Sequence, residues 1–261
     1  MTSSRDRIGR ALFVLMTFKR EPSLSYWQVK WLARIPASYG SLSQWQVARA
    51  RHREPLIAVE RVRDVVADRA ANRYTLGAEG LNFLDRRIRE LQPDAILEFG
   101  SGVSTVILAA RMAEMHGDDR PRVFSVDESE TYLRDTHQML AEVGLRRCAR
   151  LAQREVREQV IRGHSTACYD LDESFLSSFL DIVPDLILVD GPSGGGTVRL
   201  GTLPLVQDHV HAPCTFFLDD ALREEEIAVA SLWRRLAAVE LSRVHIVGHG
   251  LLEGRIVHGS R

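Results

Sequence analysis

The chain has 261 residues, 45% hydrophobic and 26% charged, with a net charge of −1. These are ordinary values for a soluble globular protein, enough for one generous α/β domain with an appendage or for two small domains. Cys148, Cys168 and Cys214 are scattered and form no C-x-x-C pair, which excludes a disulfide framework and a cysteine zinc site. The apolar run from Ala11 to Thr17 is far short of the ~20 residues that cross a bilayer and lacks a signal-peptide cleavage site, so a cytoplasmic protein is expected.

Residues 1–73 carry 14 Lys+Arg against 6 Asp+Glu, a balance of +8, and residues 74–261 carry 20 against 29, a balance of −9. The N-terminal arginines lie among apolar residues rather than in a patch interleaved with aromatics, so a solvated helical face is expected instead of a nucleic-acid surface. Trp27, Trp31, Leu32 and Ile35 recur at helical spacing until Pro36 and Gly40. Leu56, Val59, Val62, Val65 and Val66 suggest a second helix within residues 55–70. Residues 1–73 thus read as a helical extension capping residues 74–261.

From Tyr74 onward, helices alternate with short apolar strands. Gly77–Leu91 is an amphipathic helix stopped by Pro93. Ala95–Phe99 is a strand ended by Gly100, Ser104–Met115 a helix, Val123–Val126 a strand, Thr131–Val143 a helix and Ala149–Ala152 a weak strand. Asp185–Val189 and Thr215–Leu218 are the fourth and fifth strands, with Leu200–Val210 helical between them and Leu222–Leu241 a long helix after them. Strands that are apolar throughout and separated by helices are buried on both faces, the mark of a parallel sheet. The last pair, Val244–Val247 and Arg255–Val257, is joined by only seven residues (248–254). Seven residues hold no crossover helix, so an antiparallel hairpin is expected.

Ligands of an open parallel sheet bind at the carboxyl ends of its strands. This sequence puts Asp127, Asp190 and the pair Asp219-Asp220 at three such ends, with Glu98 just before Gly100 at a fourth. Gly100-Ser101-Gly102-Val103-Ser104-Thr105 follows a strand and opens a helix, where glycines let backbone approach a ligand and free N–H groups face an anion. A dinucleotide fingerprint has a third glycine where Thr105 stands.

Together, Glu98-Phe99-Gly100-Ser101-Gly102 with Ser104-Thr105, Asp127, Asp190-Gly191-Pro192 and the closing hairpin resemble the class I S-adenosylmethionine-dependent methyltransferases over about 74–261. The resemblance implies an α/β fold: a seven-stranded, mostly parallel, Rossmann-like sheet with helices on both faces and a C-terminal antiparallel hairpin. It implies cofactor contacts from Glu98, Gly100, Ser101, Gly102, Ser104, Thr105, Asp127, Glu128 and Asp190, with Asp127 taking the ribose diol. In the metal-dependent O-methyltransferase branch, an Asp after the fourth strand and Asp-Asn after the fifth hold a divalent cation. The matching residues here are Asp190, Asp219 and Asp220, a set of oxygen ligands suited to Mg2+, with Asp where the branch has Asn. Without a metal, Asp190 or Asp219 is the candidate general base. Tyr169 and Asp170 are further candidates to face the acceptor, whereas the histidines, His249 among them, read as structural or surface groups.

The expected activity is O-methylation of a small molecule or a sugar hydroxyl. No nucleic-acid or membrane partner is expected, and homo-oligomerisation is left open. A non-catalytic binding module and a nicotinamide-dependent oxidoreductase are the competing readings, the latter disfavoured by Thr105 and the hairpin.

Overall fold

The computed structural model describes residues 23–33, 56, 59–66 and 76–257. In chain order they form β1 (Ser23–Ser25), α1 (Tyr26–Ala33), α2 (Arg63–Val66), α3 (Gly77–Leu91), β2 (Ile96–Phe99), α4 (Val103–His116), β3 (Val123–Asp127), α5 (Glu130–Glu142) and β4 (Ala149–Gln153). There follow β5 (Val156–Ile161), β6 (His164–Tyr169), α6 (Glu173–Phe179), β7 (Leu186–Val189), α7 (Thr202–Val206), β8 (Cys214–Leu218), α8 (Glu224–Leu236), β9 (Val239–His245) and β10 (Leu251–Ile256). The main sheet runs β4-β3-β2-β7-β8-β10-β9-β1. Its first five strands are parallel, and β10, β9 and β1 are added antiparallel.

Pleating assigns the side chains of the apolar strands to two layers. Leu97 and Phe99 face one layer with Phe124, Ile187 and Phe216, closed over by Trp233 of α8 and Phe179 of α6. Ile96 faces the other with Val123, Leu188 and Phe217, closed over by Leu84 and Ile88 of α3 and Val106 of α4. Glu98 alternates onto this second face and therefore meets α4. The chain leaves β2 toward β3 and β4, then returns to β7 on the other side. The turns after β2 and β7 touch as they leave the sheet, and their chains then part toward β3 and β8, which places a crevice at this switch point, where open α/β sheets bind ligands.

Four differences from the expected elements have physical causes. The sheet holds eight strands among the described residues, because Ser23–Ser25 pairs with Arg243–His245 and buries Leu24 in the core. Three residues are too few to show a period. The helix expected to reach Leu241 stops at Leu236, since Val239–Leu241 are needed to pair with Gly254–Ile256 of β10. The helix expected over Leu200–Val210 is only α7 flanked by 3₁₀ turns, consistent with Pro204, whose missing N–H is tolerated only in a first turn. The antiparallel pair β5–β6 occupies a stretch expected to be irregular. Val160 there is 71% exposed, so the strand has no apolar face to betray it. Its signal was the two-residue turn Arg162-Gly163, both at positive φ (48° and 88°), which suits a tight hairpin. Pro36, Gly40 and His258 lie outside the described residues, as do positions 55, 57–58 and 67–70 of the expected second helix; within it, a 3₁₀ turn over Glu60–Val62 runs into α2.

Candidate functional site

The turn after β2 is built by two glycines with different tasks. Gly100 sits at φ 98°, and a Cβ there would lie 2.9 Å from the backbone nitrogen of Gly191. It is glycine because the β2 and β7 loops touch. Gly102 has extended backbone, φ 167°, and a Cβ there would meet nothing within 4 Å. It faces open space. Thr105 explains itself once folded: its Oγ1 accepts the Gly102 N–H at 2.9 Å and donates to Glu98 Oε2 at 2.6 Å, capping α4 from inside. Asp127 holds the turn from the next strand. Its Oδ2 accepts the Ser101 N–H at 2.6 Å and its Oδ1 the Ser129 N–H at 2.7 Å.

These loops wall a cavity of about 740 Å³. Gly100, Ser101, Gly102, Ser104, Asp127 and Glu128 line one side, and Asp190, Asp219 and Asp220 line the other. Glu98 and Thr105 lie beneath the turn, fully buried. Burial pushes Glu98 up to about 7, against the lowering effect of the Thr105, Ser104 and Ser125 hydroxyls. The folded protein thus holds this proton better than the unfolded chain, and stability contributed here falls as pH rises from about 4.5 to about 7. Glu98→Gln removes the buried charge and is expected to raise the melting temperature at pH 8 by roughly 4–8 °C, on the order of 2 kcal/mol, with no gain at about pH 4. Thermal denaturation at both pH values checks this; an equal gain at both would refute it.

Glu128 is not merely solvated. Its Oε2 accepts the Tyr169 hydroxyl at 2.7 Å and its Oε1 the Ser193 N–H at 2.9 Å, so it ties β6 and the loop after β7 to the strand end of β3. Tyr169, expected as a possible acceptor contact, is buried and stacked on Phe99 with ring centroids 5.8 Å apart. It supports the wall from behind.

On the opposite side Asp190, Asp219 and Asp220 surround a residue the sequence reading missed, Arg199, in the 3₁₀ turn Val198–Gly201. Its Nη2 donates to the Asp190 carbonyl at 2.6 Å and lies 3.5 Å from Asp190 Oδ1 and 3.3 Å from Asp220 Oδ2. Its Nη1 donates to the Asp219 carbonyl at 3.0 Å and lies 3.3 Å from Glu226 Oε1. A lone arginine between Val198 and Leu200, in a chain with acidic strand ends, was the available signal. Burial drives the Asp219 carboxyl well above the usual range, helped by the charges of Asp190 and Asp220. Asp190 is also raised by burial, with Arg199 opposing. His249, read from sequence as a surface group, lines the cavity with Nδ1 3.4 Å from Asp220 Oδ1. His245 is paired with Glu253 at 2.7 Å, a structural contact.

In sequence the chain matches no protein-family model and no curated protein. In fold it matches solved structures. One is the O-methyltransferase from Bacillus cereus in complex with S-adenosylhomocysteine, with TM-score 0.57, 14% identity and coverage of 82% of this chain and 99% of that one. Another is the O-methyltransferase TomG from Streptomyces achromogenes in complex with S-adenosylmethionine, with TM-score 0.54, 15% identity and coverage of 78% and 93%. A third is the S-adenosylhomocysteine-bound Podospora anserina methyltransferase PaMTH1, with TM-score 0.51, 12% identity and coverage of 99% and 98%. The chain has a methyltransferase fold. At these identities the likeness is one of architecture, and within the methyltransferase fold the cavity lies at the switch point between β2 and β7.

Proposed function

We propose that the protein is an S-adenosylmethionine-dependent methyltransferase acting on a hydroxyl oxygen of a small molecule or sugar. The observation that carries this reading is the cavity beside the glycine turn, bounded by open space at Gly102 and by the buried carboxylate of Asp127. Its volume lies within the ~300–1,000 Å³ range of small-molecule and cofactor sites. The fold neighbours that bind S-adenosylmethionine or its product support the same choice.

The residues fit the cofactor. Each Asp127 oxygen spends one lone pair on a backbone N–H and keeps another for a ribose hydroxyl. The first turn of α4 carries no acidic side chain and opens at the cavity through Val103 and Ser104, a setting for the carboxylate of the methionine end. When bound, the cofactor supplies an activated methyl group, so positioning by the protein is the main task. Asp219, whose Oδ1 has no hydrogen-bond partner, is placed to take the acceptor's proton. Asp190 is held beside it by Arg199.

A divalent cation shared by Asp190, Asp219 and Asp220 does not fit this arrangement, because the Arg199 guanidinium stands between Asp190 and Asp220. Among the described residues no helix is long and apolar enough to cross a membrane. A cytoplasmic location and a cap formed by residues 1–73 over the catalytic domain complete the reading. Calorimetric titration tests it. Micromolar binding of S-adenosylhomocysteine and no binding of NAD is the expected result; binding of NAD instead would overturn the proposal.

A further inference from the structure

We infer that the cation of the carboxylate cluster is the guanidinium of Arg199, supplied by the chain itself, and that this site takes no divalent metal. Four carboxylates converge here, of which Asp219, Asp220 and Glu226 are 3%, 4% and 7% exposed. Buried carboxylates need a compensating charge. Arg199 is the buried cation of this centre, 6% exposed, spanning Asp190, Asp220 and Glu226 through two nitrogens, whereas the more exposed Arg223 touches Asp220 from the rim. The same two nitrogens also donate to the carbonyls of Asp190 and Asp219 at the ends of β7 and β8. The guanidinium therefore fixes both strand ends as well as their side chains, a task suited to its rigid planar fork.

A metal ion has no equivalent place. Magnesium and calcium require oxygens at about 2.0–2.6 Å in shells of six or more. The point between Asp190 and Asp220 already holds Nη2, and Asp220 Oδ2 also carries Arg223 at 2.8 Å. The grouping left over is Asp219, Asp220 and His249, with one ligand atom of each within 4.8 Å of the others. It offers two oxygens and an imidazole to an ion standing beside a fixed positive charge. Hard divalent ions prefer all-oxygen shells. The consequence for catalysis, acceptor binding and deprotonation without a metal, rests on the proposed function; the occupancy of the cluster does not.

Titration of the full-length protein with Mn2+, followed by electron paramagnetic resonance, tests the inference directly. Wild type is expected to leave the free Mn2+ signal undiminished, with no dissociation constant below about 1 mM. Arg199→Gln exposes the carboxylates and is expected to bind Mn2+ at least about tenfold more tightly than wild type. Submillimolar binding by wild type that is lost in Asp219→Asn would overturn the inference. So would a folded Arg199→Gln that binds Mn2+ no better than wild type. If circular dichroism shows that Arg199→Gln does not fold, the wild-type titration alone decides. Silence toward Mn2+ combined with failure to bind S-adenosylhomocysteine would remove the proposed function and leave this inference standing.

Discussion

Gly102→Val is expected to abolish binding of S-adenosylhomocysteine while the protein stays folded. The backbone at residue 102 is extended, which any side chain adopts, and no atom lies within 4 Å of the position a Cβ would take. The branched side chain would therefore project into the cavity rather than into the protein. Its cost to the fold is that of a poorer helix N-cap, about 1 kcal/mol or less, and the Gly102 N–H stays bonded to Thr105. A rise in Kd of at least about 100-fold, some 2.7 kcal/mol, is expected by calorimetry, with a melting temperature within a few degrees of wild type. Gly100 is the less informative target. Its φ of 98° and the Gly191 backbone 2.9 Å from a would-be Cβ mean that substitution there damages the fold before it tests the ligand. An unchanged Kd in Gly102→Val would show that the cofactor lies elsewhere.

Asp127→Asn comes second in expected effect. The carboxylate accepts two short backbone hydrogen bonds and faces the cavity with what remains. Loss of charged acceptor capacity is expected to weaken S-adenosylhomocysteine binding by about 1.5–3 kcal/mol, roughly 10- to 150-fold in Kd. Burial pushes Asp127 up to about 6, against the two N–H donors from Ser129 and Ser101. Protonation removes acceptor lone pairs, so wild-type affinity is expected to fall as pH drops through about 6. The Asn variant should lack that component of the pH profile, a readout that general loosening of the loop would not erase. Should the variant keep both the affinity and the profile of wild type, Asp127 would be a clamp between two loops and nothing more.

Much of this protein was legible without coordinates because its signals are local. The strands Ile96–Phe99, Leu186–Val189 and Cys214–Leu218 carry apolar residues toward both faces and are buried on both, which a sheet covered by two layers of helices accommodates. The helix Gly77–Leu91 has the bounds that its periodicity and Pro93 predict. The stretch 248–254 is too short for a crossover, and β10 does run antiparallel to β9, starting already at Leu251 so that the link is only residues 246–250. Turn glycines and strand-end carboxylates fall at the same end of four of the five parallel strands, β4 being the exception, so the walls of one cavity could be nominated from sequence.

Tertiary structure decided what depends on residues far apart in the chain. Gly100 is glycine because of Gly191, and Glu128 finds its partners in Tyr169 and Ser193. Arg199 carries no periodic signal, yet it sets the charge at the Asp190, Asp219 and Asp220 side of the cavity because the turn before α7 passes over the ends of β7 and β8. The β5–β6 pair, with Val160 in solvent, and the three-residue β1 are stabilised by backbone pairing that hydrophobic patterning does not record. Local patterning along the chain set the layers and the end of the sheet at which the cavity opens, since burial imposes a period on each segment. Which charges meet across that crevice was left to the fold, because such pairs are made by loop crossings rather than by any repeat along the chain.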